Sequence, residues 1–269
     1  MFNIIEKIIG SDNLEEDRYD KKASLLINSF SKKNTSLKNN SLGLNNIPSF
    51  LRDPYKIYIE TLKRNLNKEY TVLEIACGTG NLSEVLIKNS KEVYFLDISK
   101  NSINVLKKNF SKYSNFKCLV AKMDNIPLKD SSFDLITTAG SLSYANHKKL
   151  FNEINRLLKP EGKFICVDTL NNNPIYMLPR VKNILLLKRS IITFFRLPNF
   201  FTILHIKRFF LIENINYIGH LTFINPLLIL LIGKKNSNRI SQKFDRIFNS
   251  SFFAYKFVLE SKKKLNLYK

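Results

Sequence analysis

From Tyr70 onward the chain alternates short apolar runs with helical stretches, and this rhythm restricts the fold more than any other feature of its 269 residues. The runs are TVLEIA (71–76), VYFLDI (93–98), KCLVAK (117–122), DLITTA (134–139) and KFICVD (163–168). Helically spaced apolar residues fill Leu82–Asn89, Ser99–Phe110 and His147–Leu158 between them. Strands this short and continuously apolar must be covered on both faces, and helical crossovers make neighbouring strands parallel. The pattern predicts an α/β fold with a mostly parallel sheet and right-handed crossovers. Lys159-Pro160-Glu161-Gly162 predicts a stop and a turn ahead of the fifth strand.

Around this core the chain divides into three parts. Residues 1–49 form an extension that contains a polar Asn/Ser-rich linker at 31–47. Residues 50–170 hold the alternating core, entered through a helix that opens at Pro54 and carries Tyr55, Ile59, Leu62 and Leu66. Residues 171–269 form a basic region that covers the substrate and completes the sheet. A short helix is also expected near Lys21–Phe30.

The most informative segment is Val72–Ser83, in which a strand runs into Gly78-Thr79-Gly80 and a helix follows. Glycine there lets backbone approach a ligand closely. Glu74 in the strand would repel a pyrophosphate and attract a ligand with ammonium or sulfonium groups. Neither GxGxxG nor GxxxxGK[ST] is present, which disfavours dinucleotides and nucleoside triphosphates. Asp97 ends the next strand, where a carboxylate can accept from two vicinal ribose hydroxyls. Asp124 follows the third strand, where it can accept from an adenine amino group. Three acidic residues at consecutive strand ends beside a glycine turn point to a cationic nucleoside.

These residues resemble class I S-adenosylmethionine (SAM)-dependent methyltransferases of the ubiquinone/menaquinone-type branch. ExACGTG at Glu74–Gly80 looks like the first motif, with Ala76 where Gly is usual, and VYFLDIS looks like the second. AKMDNIPLKDSSFDLITTAGSLSY and RLLKPEGKFICVDTL resemble the third to fifth strands. The resemblance implies a Rossmann-like, mostly parallel seven-stranded sheet with helices on both faces, and SAM as cofactor without a metal. It implies that Gly78, Thr79 and Gly80 carry the methionine and ribose portion and that Glu74 orients the amino end. Asp97 would hold the ribose, Ile98 would pack on adenine, and Met123, Asp124 and Asn125 would frame the base. Ala139 and Gly140 would approach the methionine amino group.

The acceptor is less constrained. His147 is the candidate base because imidazole titrates near neutrality, with His205 and His220 as alternatives. Tyr144 is a candidate substrate contact. DTLNNNPIYMLPR at 168–180 and the later aromatic run Phe252–Leu259 resemble methyltransferases encoded with bacterial surface-polysaccharide genes. That second resemblance implies a saccharide or nucleotide-sugar acceptor, with Asn173 and Tyr176 contacting hydroxyls and Arg180, Lys188 and Arg189 contacting phosphate. Quinone-like rings, RNA and SAM binding without turnover remain open.

Charge separates the two halves. Residues 1–169 carry 26 basic and 19 acidic side chains, and 170–269 carry 17 and 3. The tail therefore favours anionic company. The segments 184–187, 191–195 and 200–210 are rich in apolar and aromatic side chains with Lys and Arg beside them, a composition suited to an interfacial membrane surface. No uncharged run reaches the length of a spanning helix. Cys77, Cys118 and Cys166 form no CxxC pair, which argues against a disulfide framework and a structural zinc site. A cytoplasmic protein, or one peripheral to the inner membrane surface, is expected.

Overall fold

The computed structural model describes residues 16–21, 23–25, 52–186 and 190–264. Residues 16–21 and 23–25 are helical, and the rest of the helix expected at Lys21–Phe30 lies outside the described residues, as do the linker at 31–47, Lys188 and Arg189.

Seven strands form one sheet: β1 Thr71–Ile75, β2 Glu92–Asp97, β3 Phe116–Val120, β4 Phe133–Ala139, β5 Leu158–Thr169, β6 Phe210–Ile218 and β7 Lys256–Lys263. Their order is β3-β2-β1-β4-β5-β7-β6, with β7 antiparallel to both neighbours and the other pairs parallel. The order reverses between β1 and β4. In open sheets of this kind, that is where a crevice opens beyond the carboxyl ends of the strands.

The helices are α1 Asp53–Asn65, α2 Glu84–Asn89, α3 Lys100–Asn109, α4 His147–Leu157, α5 Pro174–Leu185, α6 Ile191–Phe195, α7 Phe200–Phe209 and α8 Asn225–Ile247. Two apolar layers sandwich the sheet. One gathers Leu73, Ile75, Phe151, Phe164, Phe210 and Phe257 beneath α4 and α7, and the other gathers Val72, Phe95, Phe110 and Ile165 beneath α1 to α3. In α4 the buried residues Leu150, Phe151, Ile154 and Leu157 recur at helical spacing, each worth about 1.5–3 kcal/mol of burial. Asn146 caps this helix by accepting from the amides of Lys148 and Lys149. The tail therefore completes the core of the sheet, since Phe210, Phe257 and Leu259 sit among the fully buried side chains.

Two expected boundaries move. The Lys159–Gly162 segment is not a turn before β5; the strand begins at Leu158, opposite Phe133, and pairing resumes only at Lys163, opposite Leu135. The extra residues loop out of the ladder, with Glu161 at φ 66°. The last strand begins at Lys256 rather than within the Phe252–Phe253 run, because its ladder starts opposite Thr169, where β5 ends.

Candidate functional site

At the end of β1 the chain turns through Ala76, Gly78 and Gly80, at φ 54°, 55° and 82°. The amide of Cys77 donates to the Leu96 carbonyl at 3.0 Å and that of Gly78 to Asp97 Oδ2 at 2.8 Å, so the turn is fastened to the end of β2. The two glycines answer different demands. A Cβ on Gly78 would meet nothing within 4 Å, whereas one on Gly80 would lie 2.5 Å from the Phe110 ring. Gly78 opens room for a ligand, and Gly80 lets α3 pack against the turn. Thr79 and Gly80 do not line the cleft described next; the Thr79 carbonyl is held by Asn109 Nδ2 at 2.9 Å.

A cleft of about 850 Å3, open mouth included, lies over this turn at the carboxyl ends of β1, β2, β3 and β4. Ala76, Gly78, Asp97 and Ile98 line one part of it, Met123 and Asp124 another, and Ala139, Gly140 and Tyr144 a third. Leu96, Ala121, Lys122, Ser141 and Tyr19 complete the wall and were not anticipated. Asn125 stays off it, its amide donating to the Lys122 carbonyl at 3.3 Å within the loop. Tyr19 meets Tyr144 edge-on with centroids 5.6 Å apart. Asp20 beside it accepts from the amide of Asn101 at 3.1 Å and from the Ser99 hydroxyl, at the opening turn of α3.

Asp97 is 7% exposed, and its Oδ1 accepts from the Ser99 amide at 2.9 Å. Burial raises its pKa, while the hydrogen bonds from the Ser99 and Gly78 amides oppose that rise. Each oxygen keeps accepting capacity for a ligand. Glu74 departs from expectation. On β1, Leu73 and Ile75 point into one apolar layer and Val72 into the other, so Glu74 follows Val72 away from the cleft. It is 4% exposed, and its Oε2 has no hydrogen-bond partner. Burial pushes its pKa up to about 8, Ser83 pulling the other way and Asp97 adding to the rise. It stands behind the turn and not on the cleft wall.

A second cleft, of about 680 Å3, adjoins the first and shares Gly140 with it. Its wall is polar: Ser143, Asp168, Thr169, Arg180, Thr193 and Tyr255 all contribute. The 3-10 turn Leu142–Tyr144 divides the two clefts, Ser143 facing the second and Tyr144 the first. Asp168 Oδ2 accepts from the Leu142 amide at 2.8 Å, which holds that turn against the end of β5. Gly140, at φ 72°, has open space where a Cβ would project. Arg180 reaches in from α5, bonded to the Leu170 carbonyl at 3.2 Å and to Asn171 Oδ1. Its guanidinium lies 5.9 and 6.0 Å from the rings of Tyr176 and Tyr255.

The other expected acceptor contacts lie elsewhere. Asn173 is the cap of α5, accepting from the Ile175 amide at 2.9 Å, and Tyr176 is buried with its hydroxyl donating to the Gly219 carbonyl at 3.0 Å. Neither lines a cleft. His147 opens α4, and its Nε2 lies 3.1 Å from the Leu142 carbonyl, on the wall of neither cleft. Burial lowers its pKa. His205 packs against Phe151 and Phe209. His220 pairs through Nδ1 with Asp245 at 2.7 Å and lies 3.0 Å from the Ser250 carbonyl through Nε2, clamping α8 to the turn after β6. No cluster of metal-ligating side chains occurs among the described residues.

Comparison with known proteins assigns the core. Residues 73–166 match the methyltransferase domain family. A demethylmenaquinone methyltransferase from Geobacillus sp. (strain WCH70) is 32% identical over 133 residues, which is 47% of this chain and 56% of that protein. The chain spans little more than half the length of the curated relatives it matches. The geranyl diphosphate C-methyltransferase of Streptomyces coelicolor A3(2), solved with S-adenosyl-L-homocysteine, superposes with a TM-score of 0.57 at 14% identity over 78% of this chain and 76% of that one. The [4+2]-cyclase SpnF superposes equally well, at 0.57, with 13% identity over 96% and 98%. The fold is therefore the class I Rossmann-like methyltransferase fold. A cyclase among its likenesses leaves the chemistry to the residues of the site.

Proposed function

We propose that this protein is a SAM-dependent methyltransferase whose acceptor is a hydroxyl-rich, anionic small molecule, with a sugar or nucleotide sugar of cell-surface polysaccharide as the preferred class. The observation that carries this reading is the pair of clefts meeting at Gly140, one walled by strand ends and the other by Asp168, Thr169 and Arg180. The first fits the cofactor: Gly78 and Gly140 leave open space at positive φ, Asp97 offers buried carboxylate oxygens, and Asp124 and Met123 stand at the opposite wall.

In that reading Asp97 would hold the ribose, Ile98 and Met123 would flank the base, Asp124 would accept from its amino group, and the backbone at Gly78 and Gly140 would support the amino-acid end. When bound, SAM supplies a methyl group on a sulfonium, which transfers by in-line displacement. The chain's share of the work is alignment and removal of the acceptor proton. Arg180 would bind an acceptor phosphate or carboxylate through its planar fork. Asp168, the one carboxylate among the described residues of the second wall, would accept the hydroxyl proton as the oxygen attacks the methyl carbon.

The names of the curated relatives favour a quinone-like ring instead, and the polar wall of the second cleft weighs against it. A transfer assay with labelled SAM against nucleotide sugars, quinone precursors and RNA separates the readings. Incorporation into nucleotide sugars that falls with Arg180→Ala is the expected result, and turnover confined to quinone precursors or RNA would overturn it.

A further inference from the structure

Exposed apolar side chains are distributed very unevenly. Of 22 large ones exposed among the described residues, 20 lie between Ile175 and Phe253. Leu178, Leu185, Phe195, Phe201 and Leu230 are each between 73% and 81% exposed, more than scattered surface leucines require.

Leu211 lies near the start of β6 at the far end of the sheet, and a group of the others shares the opposite end. Asn172 accepts from the Phe200 amide at 2.9 Å and donates to the Ser251 carbonyl at 3.1 Å, drawing the edge-on pairs Phe200–Phe201 and Phe252–Phe253 together. Phe252–Phe253 lie just before Lys256, which pairs with Thr169 at the carboxyl end of β5, where the second cleft opens. Phe194 and Leu197 line the second cleft while Phe195 between them is 76% exposed. Across Tyr176 the patch continues to Phe223, 6.3 Å away, and on to the apolar first turns of α8. There Leu227, Leu230 and Leu231 are exposed, the helix breaks at Gly233 with φ 75° and ψ 159°, and Lys234 and Lys235 follow.

The charge around the patch selects its occupant. The three acidic residues of 170–269 are all paired: Glu213 with Lys163 at 2.6 Å, Glu260 with Lys163 at 3.2 Å, and Asp245 with His220 at 2.7 Å. Lys182 on α5 and Lys234 and Lys235 on α8 are exposed on the same helices as Leu178, Leu185, Leu230 and Leu231. A second copy would bring the same positive surface against this one. Residues 1–15 and 26–51 of this chain carry four basic and three acidic side chains, so they offer no neutralising charge.

We propose that this face docks on an anionic lipid bilayer, with the exposed Phe and Leu side chains in the acyl boundary and the Lys and Arg side chains at the headgroups. The proposal does not rest on the acceptor reading, since it concerns where the clefts are presented and not which oxygen is methylated. An acceptor carried on a lipid would meet the second cleft from the same side.

Flotation of the full chain with vesicles tests it. The protein should rise with vesicles of phosphatidylcholine containing about 30 mol% phosphatidylglycerol and stay behind with pure phosphatidylcholine. Binding should fall roughly tenfold or more in Leu230→Asp/Leu231→Asp and in Phe200→Ser/Phe201→Ser, and in about 0.5 M NaCl, which screens the headgroups. Calorimetry with S-adenosyl-L-homocysteine should give the same affinity for variants and parent, which establishes that they are folded. Absence of flotation with anionic vesicles overturns the proposal, as does equal flotation of the variants. A concentration-dependent dimer in sedimentation velocity that the same variants dissolve, without vesicle binding, assigns the face to a second copy.

Discussion

The two clefts are neighbours made in different ways. Apart from Tyr19, the first is assembled within residues 76–144, each wall being the few residues that follow a strand. The second draws on the end of β5, the helices α5 and α6 and the residue before β7, so Asp168 and Tyr255 meet from 87 positions apart. The first is shaped by backbone, with glycines and alanines making room. The second is shaped by polar side chains that come together only when β7 inserts beside β5. A site built from strand ends recurs wherever the topology does, whereas one built from tail helices can be altered without disturbing the sheet. On the proposed reading, the comparison separates a donor side from an acceptor side.

The division can be broken most directly at Asp97. Asp97→Ala should cost at least about a hundredfold in affinity for S-adenosyl-L-homocysteine by calorimetry, because it removes charge-assisted hydrogen bonds worth roughly 1.5–3 kcal/mol each together with the anchor of the Gly78 amide. Arg180→Ala should do the converse, raising the acceptor KM roughly 10- to 50-fold while leaving cofactor affinity within about twofold. Equal losses from both variants would mean that the clefts are one site. Gly140→Ala sharpens the boundary itself: it forces an L-residue to φ 72°, at a cost of about 1–2 kcal/mol, and places a methyl group where the clefts meet. Both affinities should fall several-fold together, read by calorimetry for the cofactor and by KM for the acceptor.

The smallest effect concerns Glu74. Its folded pKa of about 8 exceeds the ordinary 4.5, so between those values the folded state holds a proton that the unfolded chain has lost. Stability from this group is therefore present below about pH 4.5 and declines as pH rises toward 8. The slope is at most about 1.4 kcal/mol per pH unit. Glu74→Gln should flatten it in urea melts between pH 5.5 and 8 and leave acceptor KM unchanged. An unaltered slope would mean that Glu74 is not the buried acid responsible.

Most of the sheet was legible because parallel strands announce themselves as apolar runs, and the first cleft was legible because its walls follow those runs. Ala76, Gly78, Asp97, Met123, Asp124 and Gly140, each at or just after a run, all line it. Glu74 was misjudged because spacing alone does not say which face of β1 a residue takes. Gly80 was assigned to ligand approach, and its real demand, the Phe110 ring, comes from 30 positions away. Asn173 and Tyr176 have the chemistry of sugar contacts and spend it on a helix cap and a turn clamp. Asp168, Thr169 and Tyr255 were passed over because their convergence depends on β7 pairing beside β5, which periodicity does not encode. Tyr19 reaches the cleft from before the linker, and no local pattern signals that.

Tyr19 has a practical corollary for anyone dissecting this protein. A clone trimmed at residue 52 would retain every described strand and both apolar layers. It would also lack one panel of the first cleft, together with the Asp20 tether that hangs that panel on α3. Such a fragment would be a sound vessel with a missing pane, and weak cofactor binding by it would be charged to the wrong residues.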